Sequence, residues 1–246
     1  MRLARLPILD PIARDIDVLC HTYKCIFVHI PKVAGQSIEH VFLHLHDLSW
    51  KTRCPLLLRP NSDPVAGPPR LAHLKASQYV ACGHVTPEQF RGYFKFSFVR
   101  NPWDRVVSFY KYSKRGRGLS FNTFLSRELV GREWHKRYWF VGPQHEFLFD
   151  AQRTPLVDFI GRFETLQADF DHVCRRIGIP PTALPHVNRS RGLSPLYPLI
   201  ALRSLLSTRR ARPVSRYAAY YDEGSRRVVE RLYEEDIEIF KYRFGP

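Results

Sequence analysis

The sequence predicts an α/β protein, a three-layer α/β/α sandwich with a central parallel sheet. Short apolar runs of strand length alternate along it with segments whose apolar residues recur at helical spacing. The composition supplies the second observation: 246 residues that are 44% hydrophobic and 13% aromatic suffice for one domain with a sizeable core. The reading is a single domain with its core over residues 25–246, preceded by an N-terminal extension over residues 1–24.

The first strand is the apolar run Ile26 to Ile30, followed by a compact loop from Pro31 to Gln36. From Ser37 a helix is expected, with Ile38, Val41, Phe42, Leu45 and Leu48 on one face and His40, His44 and Asp47 on the other. Five prolines between residues 50 and 70 mark a surface excursion. Gln78 to Cys82 reads as a second strand, and Thr86-Pro87 as the cap and first position of a helix. Lys95 to Val99 is a third strand. Asn101, Pro102 and Asp104 then open a helix with Trp103, Val106, Val107 and Tyr110 facing the core, and with Arg105, Ser108 and Tyr112 on another face. A basic loop at residues 113–118 leads to an aromatic-rich, partly helical stretch over 121–149. Val157 to Phe163 is the fourth strand. Leu166 to Ile177 is a helix stopped by Gly178 and Pro180. Residues 185–220 read as irregular and rich in arginine, and a helix bearing Val229, Leu232, Tyr233, Ile237 and Phe240 closes the chain.

The charge of +15, from 38 Lys and Arg against 23 Asp and Glu, favours an anionic partner: nucleic acid, a phosphorylated cofactor or an acidic polysaccharide. The five cysteines are scattered and odd in number, which argues against a zinc site and against a disulfide framework. No apolar stretch reaches 18 residues, and charges from Arg2 to Asp17 interrupt any signal-peptide core. A soluble, reducing, cytoplasmic setting is expected.

The stretch from Cys25 to Glu39 carries the first chemistry. A strand, a loop and a helix N-terminus suit an anionic phosphate, because the first helical turn offers unpaired N–H groups and partial positive charge. Gly35 admits close approach, Ser37 adds a hydroxyl and Lys32 a mobile full charge. The pattern is not that of a nucleotide-triphosphatase loop, since Lys32 precedes the only glycine. On its own the loop also fits an ordinary strand-to-helix turn.

Two motifs stand together in order: Phe27-Val-His-Ile-Pro-Lys-Val-Ala-Gly-Gln-Ser37 and Phe98-Val-Arg-Asn-Pro-Trp-Asp-Arg-Val-Val-Ser-Phe-Tyr110. The pair resembles the family 2, carbohydrate-type sulfotransferases, relatives of the heparan sulfate 2-O-sulfotransferases. Gly161 to Phe170, Leu184 to Ser190 and the C-terminal segment extend the resemblance over most of the chain from residue 25. It implies the P-loop nucleoside-triphosphate-hydrolase-like sulfotransferase fold. It also implies 3′-phosphoadenosine 5′-phosphosulfate (PAPS) as sulfate donor and co-substrate, with no metal. By resemblance, Lys32, Ala34, Gly35, Gln36 and Ser37 hold the 5′-phosphosulfate, and Arg100 and Ser108 hold the 3′-phosphate. Family members in animal cells are Golgi membrane proteins, and this sequence shows no such anchor.

The implied reaction is in-line sulfuryl transfer from PAPS to a carbohydrate hydroxyl, analogous to phosphoryl transfer through a loose transition state. Lys32 would stabilise the leaving nucleotide. His84, in a Gly-His-Val like that of relatives, would be the general base. A histidine bonding a loop carbonyl is the structural alternative for His84. His29 is the second candidate base, with Glu39 and Glu164 as carboxylate candidates better suited to surface or capping roles. His40 and His44 have metal-ligand spacing but read as a solvated face. Arg189, Ser190 and the arginines from Arg203 to Arg216 stay open between ligand contact and a solvated basic loop. Two competing classes remain: a non-catalytic anion-binding module for nucleic acid or acidic glycan, and a nucleotide kinase. The displaced lysine weakens the kinase, and nucleic acid is a poor match to two separate strand-end anion sites.

Overall fold

The computed structural model describes residues 19–53, 57–185 and 217–245. Four strands form one sheet: β1 (Leu19–Cys20), β2 (Cys25–Val28), β3 (Phe94–Val99) and β4 (Phe159–Arg162), in that spatial order. β2, β3 and β4 are parallel, with Phe27 opposite Phe96 and Phe96 opposite Phe159. β1 runs antiparallel to β2 as a tight hairpin, so the sheet is mixed at one edge. The sheet thus starts at Leu19, inside the segment read as an extension.

Helix α1 (Gly35–Leu45) follows β2, and α4 (Pro102–Tyr112) follows β3. Between them lie α2 (Gln78–Ala81) and α3 (Pro87–Gly92), the latter closed by a capping box of Thr86 and Gln89. After α4 come α5 (Phe121–Thr123), a π-helical stretch Phe124–Glu133, α6 (Trp134–Lys136), α7 (Tyr138–Val141) and α8 (His145–Leu148). Helix α9 (Leu166–Ile177) packs on β3 and β4 and ends at Gly178, whose φ of 76° suits glycine. The C-terminal helix is broken in two, α10 (Glu223–Leu232) and α11 (Glu234–Ile239). The break falls at Tyr233, which is buried and donates its hydroxyl to the Val141 carbonyl at 2.8 Å.

The strand expected at Gln78 to Cys82 is a helix instead. β2 takes β3 directly as its neighbour, which leaves no slot between them. The Gln78 side chain accepts the Lys75 N–H at 2.8 Å and starts the turn, while Tyr79 points inward and donates to the Phe27 carbonyl at 3.2 Å. A five-residue apolar run is too short for periodicity to separate the two states.

The core sits on the parallel strands. Phe27 and Phe96 stack with centroids 5.2 Å apart, and Phe98 meets Phe96 edge-on at 6.3 Å. Each such ring contributes about 2 kcal/mol on burial. These rings fix the height of the strand ends from which the two anion motifs emerge.

Candidate functional site

The loop after β2 folds without help from glycine at its tightest points. Lys32 and Ala34 take positive φ, 72° and 68°, and Ala34 is the residue before the first turn of α1. No side chain caps that turn and no acidic residue lies in it, so the partial positive charge of the helix start is not offset within the turn. Within the loop, Ser37 N–H bonds the Ala34 carbonyl at 3.0 Å. Gly35 is required for a reason beyond ligand approach: a Cβ there would stand 2.0 Å from His29 Nε2.

His29 forms the floor of the loop. It is buried, stacks on Phe27 and places Nδ1 2.5 Å from Oε1 of Glu39, which is itself 4% exposed. His73 lies against the His29 ring and bonds the His29 carbonyl at 3.0 Å; burial holds its pKa well below the ordinary histidine value. His29 and Glu39 therefore face each other inside the protein at ion-pair distance, without an aligned hydrogen bond between Nδ1 and Oε1. Glu164 is equally engaged, accepting the Asn101 N–H at 2.8 Å and the Tyr242 hydroxyl at 3.0 Å.

The end of β3 and helix α4 reach the loop at three levels. Arg100, at the end of β3, donates from Nη1 to the Lys32 carbonyl at 3.1 Å. Its Nε and Nη2 both bond Oδ2 of Asp104, at 2.9 and 2.8 Å, and its plane stacks on Phe163. Of the five guanidinium N–H donors, two stay unused among the described residues. Arg105, only 1% exposed, donates Nε to the Pro31 carbonyl at 3.0 Å and its other nitrogens to Gly142 and Phe140. At the last turn, the Tyr112 ring lies 4.1 Å from Lys32 Nζ. Burial and the Arg100 charge lower the Lys32 pKa to about 8. Ser108, half-buried, shares the face of α4 that carries Arg105 and Tyr112.

Sequence reasoning missed the clamp behind Arg100. The Gln144 side chain accepts the Arg100 N–H and donates to the Arg100 carbonyl, both at 2.9 Å. Asp236 is fully buried and accepts the Gln144 N–H, the His145 N–H and His145 Nδ1, each at 2.8 Å. Burial opposes the charged imidazole of His145, but the Asp236 contacts prevail and its pKa is raised. The signal for this network is the polar trio Gln144-His145-Glu146 within the otherwise apolar Phe140–Leu148 run, which local patterning does not link to residue 236.

His84 follows α2 at the start of a loop and is half-buried. Its Nε2 donates to the Ala66 carbonyl at 2.7 Å, which leaves Nδ1 as the acceptor nitrogen. His40 bonds the Gln36 carbonyl at 2.7 Å and stacks on Trp50, and it forms no ligand set with His44. Among the described residues no cluster of three His, Cys, Asp or Glu could hold a metal ion. Arg189, Ser190 and the segment from Arg203 to Arg216 lie outside the described residues.

A cleft of about 590 Å³ opens beside Tyr112. Phe109, Tyr112, Phe124 and Phe140 supply its rings, and Lys114, Arg115 and Arg117 of the basic loop line it together with Glu133. Among the described residues no helix is long and apolar enough to cross a membrane.

A 107-residue stretch is 37% identical to an uncharacterized protein of Archaeoglobus fulgidus, covering 39% of this chain and 77% of that one. Over 204 residues the chain is 22% identical to carbohydrate sulfotransferase 11 of Rattus norvegicus, which covers 66% of this chain and 53% of the relative, so the chain spans about half of that protein's length. No solved structure matches the chain. The pattern of the sulfotransferase family matches residues 17–243, from just before β1 to beyond α11. With the two strand-end motifs inside that span, the chain belongs to the sulfotransferase family.

Proposed function

We propose that this protein transfers the sulfuryl group of PAPS to a hydroxyl of a carbohydrate acceptor. One observation carries the reading: Arg100 donates to the Lys32 carbonyl, so the two anion motifs meet at the carboxyl ends of adjacent parallel strands. PAPS carries anionic groups at both ends of its ribose and needs two such sites. The uncapped α1 terminus with Ala34, Gly35, Gln36 and Ser37 takes the 5′-phosphosulfate. The unused donors of Arg100, with the Ser108 hydroxyl, take the 3′-phosphate.

In the reaction the acceptor oxygen attacks sulfur, and the bond from sulfur to the bridging phosphate oxygen breaks. That oxygen keeps the electron pair. Lys32 neutralises the charge growing there, and His84 Nδ1 takes the acceptor proton. The bond of Nε2 to the Ala66 carbonyl is the contact of a structural histidine, so the base role falls to the other ring nitrogen, Nδ1, and rests on the resemblance in the Gly83-His84-Val85 motif. The enclosed His29–Glu39 pair is a poorer base by its burial. The cleft beside Tyr112 is not lined by Lys32 or His84 and adjoins Lys32 through the Tyr112 ring; its rings and cations suit an acidic glycan extending away from the reacting hydroxyl. The likeness to a protein named as a carbohydrate sulfotransferase supports that acceptor class.

Incubation with ³⁵S-labelled PAPS and a panel of polysaccharides tests the proposal. Label transfer that His84→Asn and Lys32→Ala each cut by at least about a hundredfold is expected. Retention of a labelled or unlabelled acidic glycan without any transfer would favour a binding module instead.

A further inference from the structure

Tyr112 is 54% exposed, and among the described residues only Trp50 and Val65 are other large apolar side chains left open in this way. An exposed ring at the end of a helix contributes little to the core, yet this one has a definite neighbour in Lys32 Nζ, 4.1 Å from its centroid. The groups that shift the lysine are its own burial and Arg100; no carboxylate among the described residues balances it. An acidic partner would hold the ammonium but would repel a phosphosulfate. An aromatic face attracts the ammonium through its quadrupole and adds no net charge.

We infer that Tyr112 is a positioning residue for Lys32, its ring holding the ammonium in place while Arg100 fixes the same residue's carbonyl. The end of β3 and the helix after it then set both ends of the lysine: Arg100 grips the backbone and Tyr112 of α4 the side chain, with Arg105 holding the preceding Pro31 carbonyl. Tyr112 also lines the cleft, so the ring that steadies the lysine is a wall of the space beside it. The inference rests on the donor-site reading of Lys32 for its catalytic meaning, while the contact itself can be tested without any substrate.

The experiment is trace acetylation of the full chain with acetic anhydride, with Lys32 modification read by peptide mass spectrometry against exposed Lys51 as internal reference. Removing the ring both frees the amine and withdraws a partner that favours its charged form. Tyr112→Leu should therefore raise Lys32 acetylation about threefold or more, and Tyr112→Phe, which keeps the π face, should leave it unchanged. An unchanged or lowered rate in Tyr112→Leu would overturn the inference, as would a rise in Tyr112→Phe equal to that in Tyr112→Leu. Repeating the labelling of the unsubstituted protein with the desulfated donor, PAP, separates the two claims. Protection of Lys32 supports the donor site, and no protection contradicts that reading whatever the Tyr112 variants do.

Discussion

Helices α1 and α4 begin in the same way, each leaving the carboxyl end of a parallel strand, yet their first turns are finished oppositely. At α4, Asn101 accepts the N–H groups of Trp103 and Asp104, Pro102 occupies the first turn, and Asp104 adds negative charge. At α1 there is no side-chain cap and no acid, and the preceding residues sit at positive φ without being glycine. The α4 terminus is satisfied by its own sequence. The α1 start has its shape held from outside by Arg100, Arg105 and the His29 floor. An uncapped helix start held by its neighbours suits the anion site proposed above, whereas the capped start of α4 fixes the helix that carries Ser108 and Tyr112.

The largest way to break this contrast is to remove the outside support. Arg105→Met strips three buried carbonyls of a charged donor, and a loss of about 3 kcal/mol or more in urea unfolding is expected. A loss below about 1 kcal/mol would mean that the loop holds its own shape. Next comes the floor: Gly35→Ala forces a Cβ into the His29 ring and should cost about 1–3 kcal/mol. The same change made together with His29→Ala should cost clearly less than the sum of the two single changes, and additivity would refute the clash.

The contrast between the caps predicts changes of opposite sign. Asn101→Ala should destabilise by about 1 kcal/mol or somewhat more. Ala34→Gly, which relieves positive φ, should stabilise by about 1 kcal/mol. Equal signs in thermal melts would remove the distinction. The finest effect is on pH dependence. With the Lys32 pKa lowered to about 8, the ammonium is present below that pH and lost above it. The kcat/KM for PAPS should therefore fall as pH rises through about 8, well before the ordinary lysine range. Because the Arg100 charge is one cause of the lowering, Arg100→Ala should move this limb toward alkaline pH. A limb that stays put would show that burial alone sets it.

Much of this organisation is legible in the residues. The strands near Ile26 and Lys95, the Thr86 and Asn101 caps and the helices after them follow from strong periodicity and capping chemistry. So does the placement of Lys32 and Arg100 at strand ends. The hairpin strand Leu19–Cys20 was not legible, because two residues carry no pattern. Arg105 could be placed on one helical face with Ser108 and Tyr112, but its burial under three carbonyls depends on where the Phe140–Gly142 backbone comes to rest. Gln144 and Asp236 are separated by 92 positions, and only the tertiary fold joins them into the clamp on Arg100. The sequence announces the groups that meet a ligand more readily than those that hold these groups in place.

In the proposed donor site the uncapped α1 start and Arg100 hold the two anionic ends of one nucleotide. Calorimetric titration with PAP, beside ATP and AMP, tests it most directly, repeated for Lys32→Ala and Arg100→Ala. The account predicts that PAP binds more tightly than ATP or AMP and that Arg100→Ala removes the preference conferred by the 3′-phosphate. Equal binding of PAP and ATP, or a preference for PAP that survives Arg100→Ala, would contradict it.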